Sequence, residues 1–373
     1  MKKVIITGIV ITLVIVAILF VESMKSEEVP LPEQAQDGSE TAVVPGSTTE
    51  TAQEASPVRI KEKESQYDKY VELVSPEGYI NTEAITIGEN IGKNIVLVDF
   101  WTYSCINCQR TLPYLNAWWE KYKGQGLVII GVHTPEFAFE EEYENVQRAV
   151  EKYGVKYPVV QDNDKQTWRA YQNRYWPHKY LIDIDGFIVY DHIGEGGYDD
   201  TEQKIQELLR ERNSVLKLNQ VLQAELTAPN ASLPDFGQIG TPEIYFGYDF
   251  SRSQMGNAEG WKPDKIQNYQ LPATRTDHKF YLEGSWKNNN DNMELMSETG
   301  RILLAYEAKN VNLVARASQP IDIEVLQDGN VIRTVTVDAF DLYPLIEDEE
   351  YARHELELRM TEPGLMAYTF TFG

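Results

Sequence analysis

This chain of 373 residues has little cysteine: two residues in all. That scarcity excludes the disulfide framework that braces small secreted domains. It also argues against a zinc site, because only five histidines accompany the pair and none is in His-x-x-His spacing. Basic residues are the second shortage. With 34 Lys and Arg against 58 Asp and Glu, the formal charge of -24 repels nucleic-acid phosphate and offers no cationic cluster to anionic lipid. No nucleic-acid partner is expected. Apolar residues are not short, and 42% hydrophobic with 11% aromatic is enough to build cores in two or three domains.

The two cysteines stand together as Cys105-Ile106-Asn107-Cys108, just after the apolar run Asn94 to Trp101. Where a buried strand turns into a helix, the first sulfur meets unpaired backbone N–H groups and the positive end of the helix dipole, which stabilise a thiolate. The second sulfur lies one turn deeper and can attack a mixed disulfide from inside. Cys105 is therefore read as the attacking thiol and Cys108 as the resolving one. The cofactor requirement is then only their own redox-active disulfide, with no metal. A purely structural bridge would close a loop too short to restrain the unfolded chain much.

Met1-Lys2-Lys3 precedes Val4 to Val21, an almost purely apolar stretch. It is long enough to cross a hydrocarbon core of roughly 30 Å at about 1.5 Å per residue. Residues 1–22 are expected to form an N-terminal transmembrane helix, with Lys2 and Lys3 in the cytoplasm and the bulk of the chain outside. A cleaved signal peptide is the competing reading, but no Ala-x-Ala follows and the apolar core is long for one. No cysteine follows the segment, so a lipid-modified cysteine cannot be the tether. Residues 23–59 are rich in Glu, Gln, Ser, Thr, Ala and Pro without apolar periodicity, the composition of a disordered linker.

Between residues 60 and 213 strand-like and helical patterns alternate as β-α-β-α-β-(α)-β-β-α. Helical spacing of Leu112, Leu115, Trp119 and Tyr122 follows the cysteines, and Asp185-Gly186 marks a hairpin. This predicts an α/β domain around a mixed sheet. Residues 214–240 read as a connector that begins with a polar helix near Ser214 to Glu225. From residue 241 to 373 short alternating runs separated by turns predict an all-β sandwich, jelly-roll-like in type.

Several of these motifs carry a family resemblance. Trp101-Thr102-Tyr103-Ser104-Cys105-Ile106-Asn107-Cys108-Gln109-Arg110-Thr111-Leu112-Pro113, His133-Thr134-Pro135-Glu136-Phe137-Ala138-Phe139-Glu140 and Tyr175-Trp176-Pro177 resemble the extracytoplasmic thioredoxin-like part of the DipZ proteins, a branch close to TlpA-type thiol reductases. Thr241 to Tyr248, Leu282-Glu283-Gly284-Ser285-Trp286 and Phe370-Thr371-Phe372-Gly373 look like the C-terminal, carbohydrate-binding-like β domain of the same family. The resemblance implies a cis peptide at Pro177 facing the disulfide, and Trp101 and Trp176 at the substrate face, where the Trp176 backbone holds a substrate strand. It implies that Asp99 is a buried carboxylate accepting the Cys108 proton through water. Glu136 is a candidate acid/base near the cysteines. The stretch containing Glu140 also reads simply as an acidic helix start.

Expected partners are exported proteins with disulfides. DipZ proteins typically carry a multi-span CcdA-like domain ahead of the thioredoxin part, whereas here a single apolar segment precedes it. Reducing equivalents would then come from a separate CcdA-like membrane protein. Two other functions fit single features: a thiol peroxidase, from Thr102-x-x-Cys105, and a glycan- or protein-binding module using Trp261 and Trp286 as a stacking face.

Overall fold

The computed structural model describes residues 55–229 and 233–373. The expected membrane anchor and the linker up to residue 54 lie outside them. Among the described residues no helix is long and apolar enough to cross a membrane.

A six-stranded sheet organises the first half of the molecule. Its strands are β1 (Gly78–Ile80), β2 (Ile95–Trp101), β3 (Leu127–His133), β4 (Val159–Gln161), β5 (His178–Ile182) and β6 (Ile188–Ile193), in the order β1-β4-β3-β2-β5-β6. β2, β3 and β4 run parallel, while β1, β5 and β6 are antiparallel to their neighbours. All seven residues of β2 are buried, as a strand covered on both faces requires. Period-two alternation divides them: Ile95, Leu97 and Trp101 join the core that contains Leu112, Leu115 and Trp118, and Val96, Val98 and Phe100 join the core on the other face. β1 escaped the sequence reading because three residues show no periodicity.

Five helices complete this half: α1 (Ala55–Glu64), α2 (Ile106–Tyr122), α3 (Tyr143–Lys152), α4 (Gln166–Ala170) and α5 (Tyr198–Val215). The linker expected through residue 59 therefore gives way to helix at Ala55. The reason is charge: Arg59 and Lys63, one turn apart, pair with Asp185 at 2.7 Å and Asp183 at 2.6 Å, and Lys63 also meets Glu211. The helix expected over Ser214 to Glu225 is absent beyond Val215. The chain turns left-handed at Lys217 (φ 55°), and the segment that follows is tied to α5 by side chains. Asn213 donates to the Gln220 carbonyl, and Glu202 accepts from the Thr227 N–H and hydroxyl.

The second half is all β: β7 (Ile244–Tyr245), β8 (Ile266–Tyr269), β9 (Phe280–Asn288), β10 (Met293–Leu295), β11 (Gly300–Ala317), β12 (Ile321–Gln327), β13 (Asn330–Val337), β14 (Asp341–Met360) and β15 (Leu365–Phe372). Where the sequence predicts a sandwich of two sheets, hydrogen bonding joins all nine strands in one. The long strand β11 makes this possible. Its first residues pair with β9 and its last with β15, while register shifts between Ala308 and Asn312 break its ladder with β14. Trp286, expected on a stacking face, is fully buried, and Trp261 is half-buried with its indole N–H donated to the Phe246 carbonyl.

The two halves share a core. Phe137 and Phe139, in the segment after β3, sit among Tyr245, Phe250, Phe340 and Tyr368, with Phe139 ring centroids 4.8 Å from Tyr368 and 4.9 Å from Phe340. Substituting Phe139→Ala is expected to cost about 3–5 kcal/mol of unfolding free energy. Chemical denaturation should show that loss in one transition common to both halves; a loss confined to one of two separate transitions would contradict the shared core.

Candidate active site

Cys105 is the N-cap of α2 and has extended backbone geometry. Its Sγ accepts the Cys108 N–H at 3.4 Å, so the first turn of the helix aims a donor at the sulfur. Both cysteines are free thiols. Cys105 is partly exposed, whereas Cys108 is 1% exposed, and burial beside Cys105 pushes the Cys108 thiol well above its ordinary range. The pair thus has one accessible sulfur and one sheltered sulfur a turn deeper. The turn before it is held by His133 at the end of β3, whose Nε2 accepts the Tyr103 N–H at 3.3 Å. Burial lowers the His133 pKa to about 3, so the ring is neutral and able to accept.

Asp99 lies on the same side of β2 as Leu97 and Trp101, under α2. It is fully buried, and among the described residues neither carboxylate oxygen accepts a hydrogen bond. Burial raises its pKa to about 7, opposed by Lys179, which is its partner residue across the β2–β5 ladder. Lys179 is itself buried, with its pKa lowered by desolvation, and its Nζ donates to the Gly194 carbonyl at 3.0 Å. Sequence reading missed Lys179, although a lysine inside the apolar run His178 to Ile182 was the available signal.

The Trp176–Pro177 peptide bond is cis. Trp176 is half-buried, lies against Trp168 at 4.2 Å and donates its indole N–H to the Thr134 carbonyl at 3.0 Å. Its ring lines the same cleft as Cys105. Trp101 does not. Expected at the substrate face, it is fully buried, edge-on to His133 at 5.2 Å, because the inward period of β2 extends through its last residue.

The cleft measures about 200 Å³, and the β domain builds one wall of it with Glu243, Tyr245 and Arg252. Glu136 also lines the cleft, and burial, with Glu140 and Glu243 nearby, raises its carboxyl to about 8. Glu140 is not free to act in the cleft. It is fully buried, accepts the Ser104 hydroxyl at 2.6 Å, and accepts the N–H groups of Glu136 and Phe137 at 2.7 and 3.0 Å. It clamps the segment after β3 to the residue before Cys105. The part played by Glu243, Tyr245 and Arg252 had no sequence signal, since they lie more than a hundred residues from the cysteines.

Comparison with known proteins agrees with this architecture. Residues 78–191 match the AhpC/TSA family, and residues 241–373 match the family described as thioredoxin like C-terminal domain. These matches and the fold define a thioredoxin-like protein with a β-rich C-terminal domain. Protein DipZ of Mycobacterium tuberculosis is 34% identical over 302 residues, 79% of this chain and 41% of that protein. The chain is thus similar to DipZ over most of its own length, and it spans less than half the length of the DipZ proteins it matches. Thiol-disulfide oxidoreductase ResA of Halalkalibacterium halodurans is 35% identical over 127 residues, 34% of this chain and 66% of that one. Thiol-disulfide oxidoreductase YkuV of Bacillus subtilis is 26% identical over 140 residues, 38% of this chain and 93% of that one.

Asp99 makes a pH prediction. Its folded pKa of about 7 is raised above the unfolded value of about 3.9, so the folded state binds the extra proton between these limits and stability falls as pH rises through them. From pH 5 to pH 8 this group should remove on the order of 2–3 kcal/mol. Denaturation midpoints at both pH values should show a smaller decline in Asp99→Asn than in the unsubstituted protein; an identical decline would contradict the assignment.

Proposed function

We propose that the protein is a thiol:disulfide oxidoreductase that reduces disulfides of exported proteins through Cys105 and Cys108. The observation that carries this reading is the pairing of a partly exposed Cys105 sulfur at a helix N-terminus with a sheltered Cys108 three residues on. Cys105 thiolate attacks the substrate disulfide, and Cys108, giving up its proton toward Asp99, resolves the mixed disulfide. A substrate segment lies extended against the Trp176–Pro177 edge of the cleft. The names of ResA and YkuV support the same chemistry.

In this reading residues 4–21 anchor the chain in the cell membrane as a single pass, with the remainder extracytoplasmic. The apolar run and the two lysines before it support that placement. A separate CcdA-like membrane protein supplies electrons. The β domain, carbohydrate-binding-like by family resemblance, serves here as a wall of the redox cleft. Peroxidase chemistry is less favoured: Thr102 is fully buried, with its hydroxyl 3.4 Å from His133 Nε2, and offers nothing to a peroxide in the cleft.

Reduction of insulin disulfides by the reduced protein is expected to fall to background in Cys105→Ser. Cys108→Ser should instead accumulate a covalent protein–insulin adduct visible by mass spectrometry. Undiminished reduction by Cys105→Ser would refute the proposal.

A further inference from the structure

Tyr245 Oη lies 2.9 Å from Glu136 Oε1 and 3.1 Å from Glu243 Oε2. A tyrosine hydroxyl has one proton to donate, so it can satisfy only one of these carboxylates. The second contact becomes a hydrogen bond when that carboxyl supplies the proton and Tyr245 Oη accepts it. The three groups are therefore satisfied together when Glu136 and Glu243 hold one proton between them. Two charged carboxylates sharing one hydroxyl would instead repel.

The surroundings favour the shared proton. Burial raises both carboxyls, Glu136 to about 8. Glu140, from the same segment as Glu136, adds to the rise, while Lys165, ahead of α4, and Arg252, after β7, oppose it. Arg174 also lines the cleft, and Arg252 lies over the Tyr245 ring at 5.2 Å. Glu140 cannot take part in the exchange, since both of its oxygens are already committed to Ser104 and to backbone N–H groups. Glu136, Glu243, Tyr245 and Cys105 face one cleft.

We propose that the β domain completes the redox site: Tyr245 holds one proton between Glu136 and Glu243, and this pair delivers it to the sulfur that leaves when Cys105 attacks a substrate disulfide. The inference rests on the thiol–disulfide reading above. In the first step a bond forms between Cys105 Sγ and one substrate sulfur, and the substrate S–S bond breaks. The electron pair departs on the other substrate sulfur, which takes the proton from the carboxyl pair. Solvent, into which Cys105 has released its own proton, restores the pair. In the second step Cys108 yields its proton toward Asp99 and attacks Cys105 Sγ, and the remaining substrate sulfur leaves and is protonated. The substrate disulfide gains two electrons and two protons, and Cys105 and Cys108 are oxidised to a disulfide.

A proton donor matters for a sulfur that leaves poorly and little for one that leaves well, whereas a merely structural role would affect both alike. The test is single-turnover oxidation of the reduced protein by two neutral disulfides. Bis(2-hydroxyethyl) disulfide has an alkyl leaving sulfur, and 2,2′-dithiodipyridine has a leaving sulfur that needs no donor. Tyr245→Phe, which keeps the ring, and the Glu136→Gln/Glu243→Gln double variant should each lose about tenfold or more on the alkyl disulfide and less than about twofold on the aromatic one. In the unsubstituted protein the ratio of alkyl to aromatic rates should fall as pH rises past about 8, and the double variant should lack that fall. Equal losses on both disulfides, or no loss on either, would overturn the proposal. If the unsubstituted protein reacted with neither disulfide through Cys105, the thiol–disulfide reading itself would fail instead.

Discussion

The redox site depends on where β2 ends. Seven buried residues carry the chain through the middle of the sheet to Trp101, and α2 begins only five residues later, with Cys105 as its cap. That short interval leaves no freedom in the placement of the sulfurs. The turn between is fixed from two sides, by the neutral His133 ring accepting the Tyr103 N–H and by Glu140 accepting the Ser104 hydroxyl. The same alternation that buries Leu97 and Trp101 puts Asp99 beneath the helix, where desolvation keeps it able to hold a proton near neutral pH. One strand terminus thus fixes the nucleophile, the sheltered thiol and the buried acid.

The C-terminal domain is built into this arrangement. Phe137 and Phe139 leave the end of β3 and enter an aromatic cluster with Tyr245, Phe340 and Tyr368, which joins the two halves through shared apolar burial. Glu136 immediately precedes this anchor, and Tyr245 belongs both to the cluster and to the cleft wall. The packing that holds the domains together therefore also brings the Tyr245 hydroxyl to Glu136. Within the first half, Glu140 ties the same segment to Ser104.

Much of the first half was legible in the sequence because its signals are local. The buried run from Ile95, the helical spacing after Cys108 and the Asp185-Gly186 turn each report their own structure. Features that depend on distant partners were hidden. Helix α1 lacks an apolar stripe and stands through the pairing of Arg59 and Lys63 with Asp183, Asp185 and Glu211. The connector after Val215 looked helical by composition but is held by Glu202 and Asn213. Trp101 was misplaced because a motif marks a residue's importance and not the direction of its side chain, which the strand period decides. In the site, the cysteines could be read directly, whereas Tyr245 and Glu243 are brought there only by the aromatic junction.

The most direct measurement of the central claim is the alkylation of each sulfur in the native, reduced protein, followed by peptide mass spectrometry after a short iodoacetamide pulse. The account predicts label on Cys105 with Cys108 unmodified until the protein is denatured. Equal labelling of both sulfurs, or labelling of Cys108 first, would contradict it.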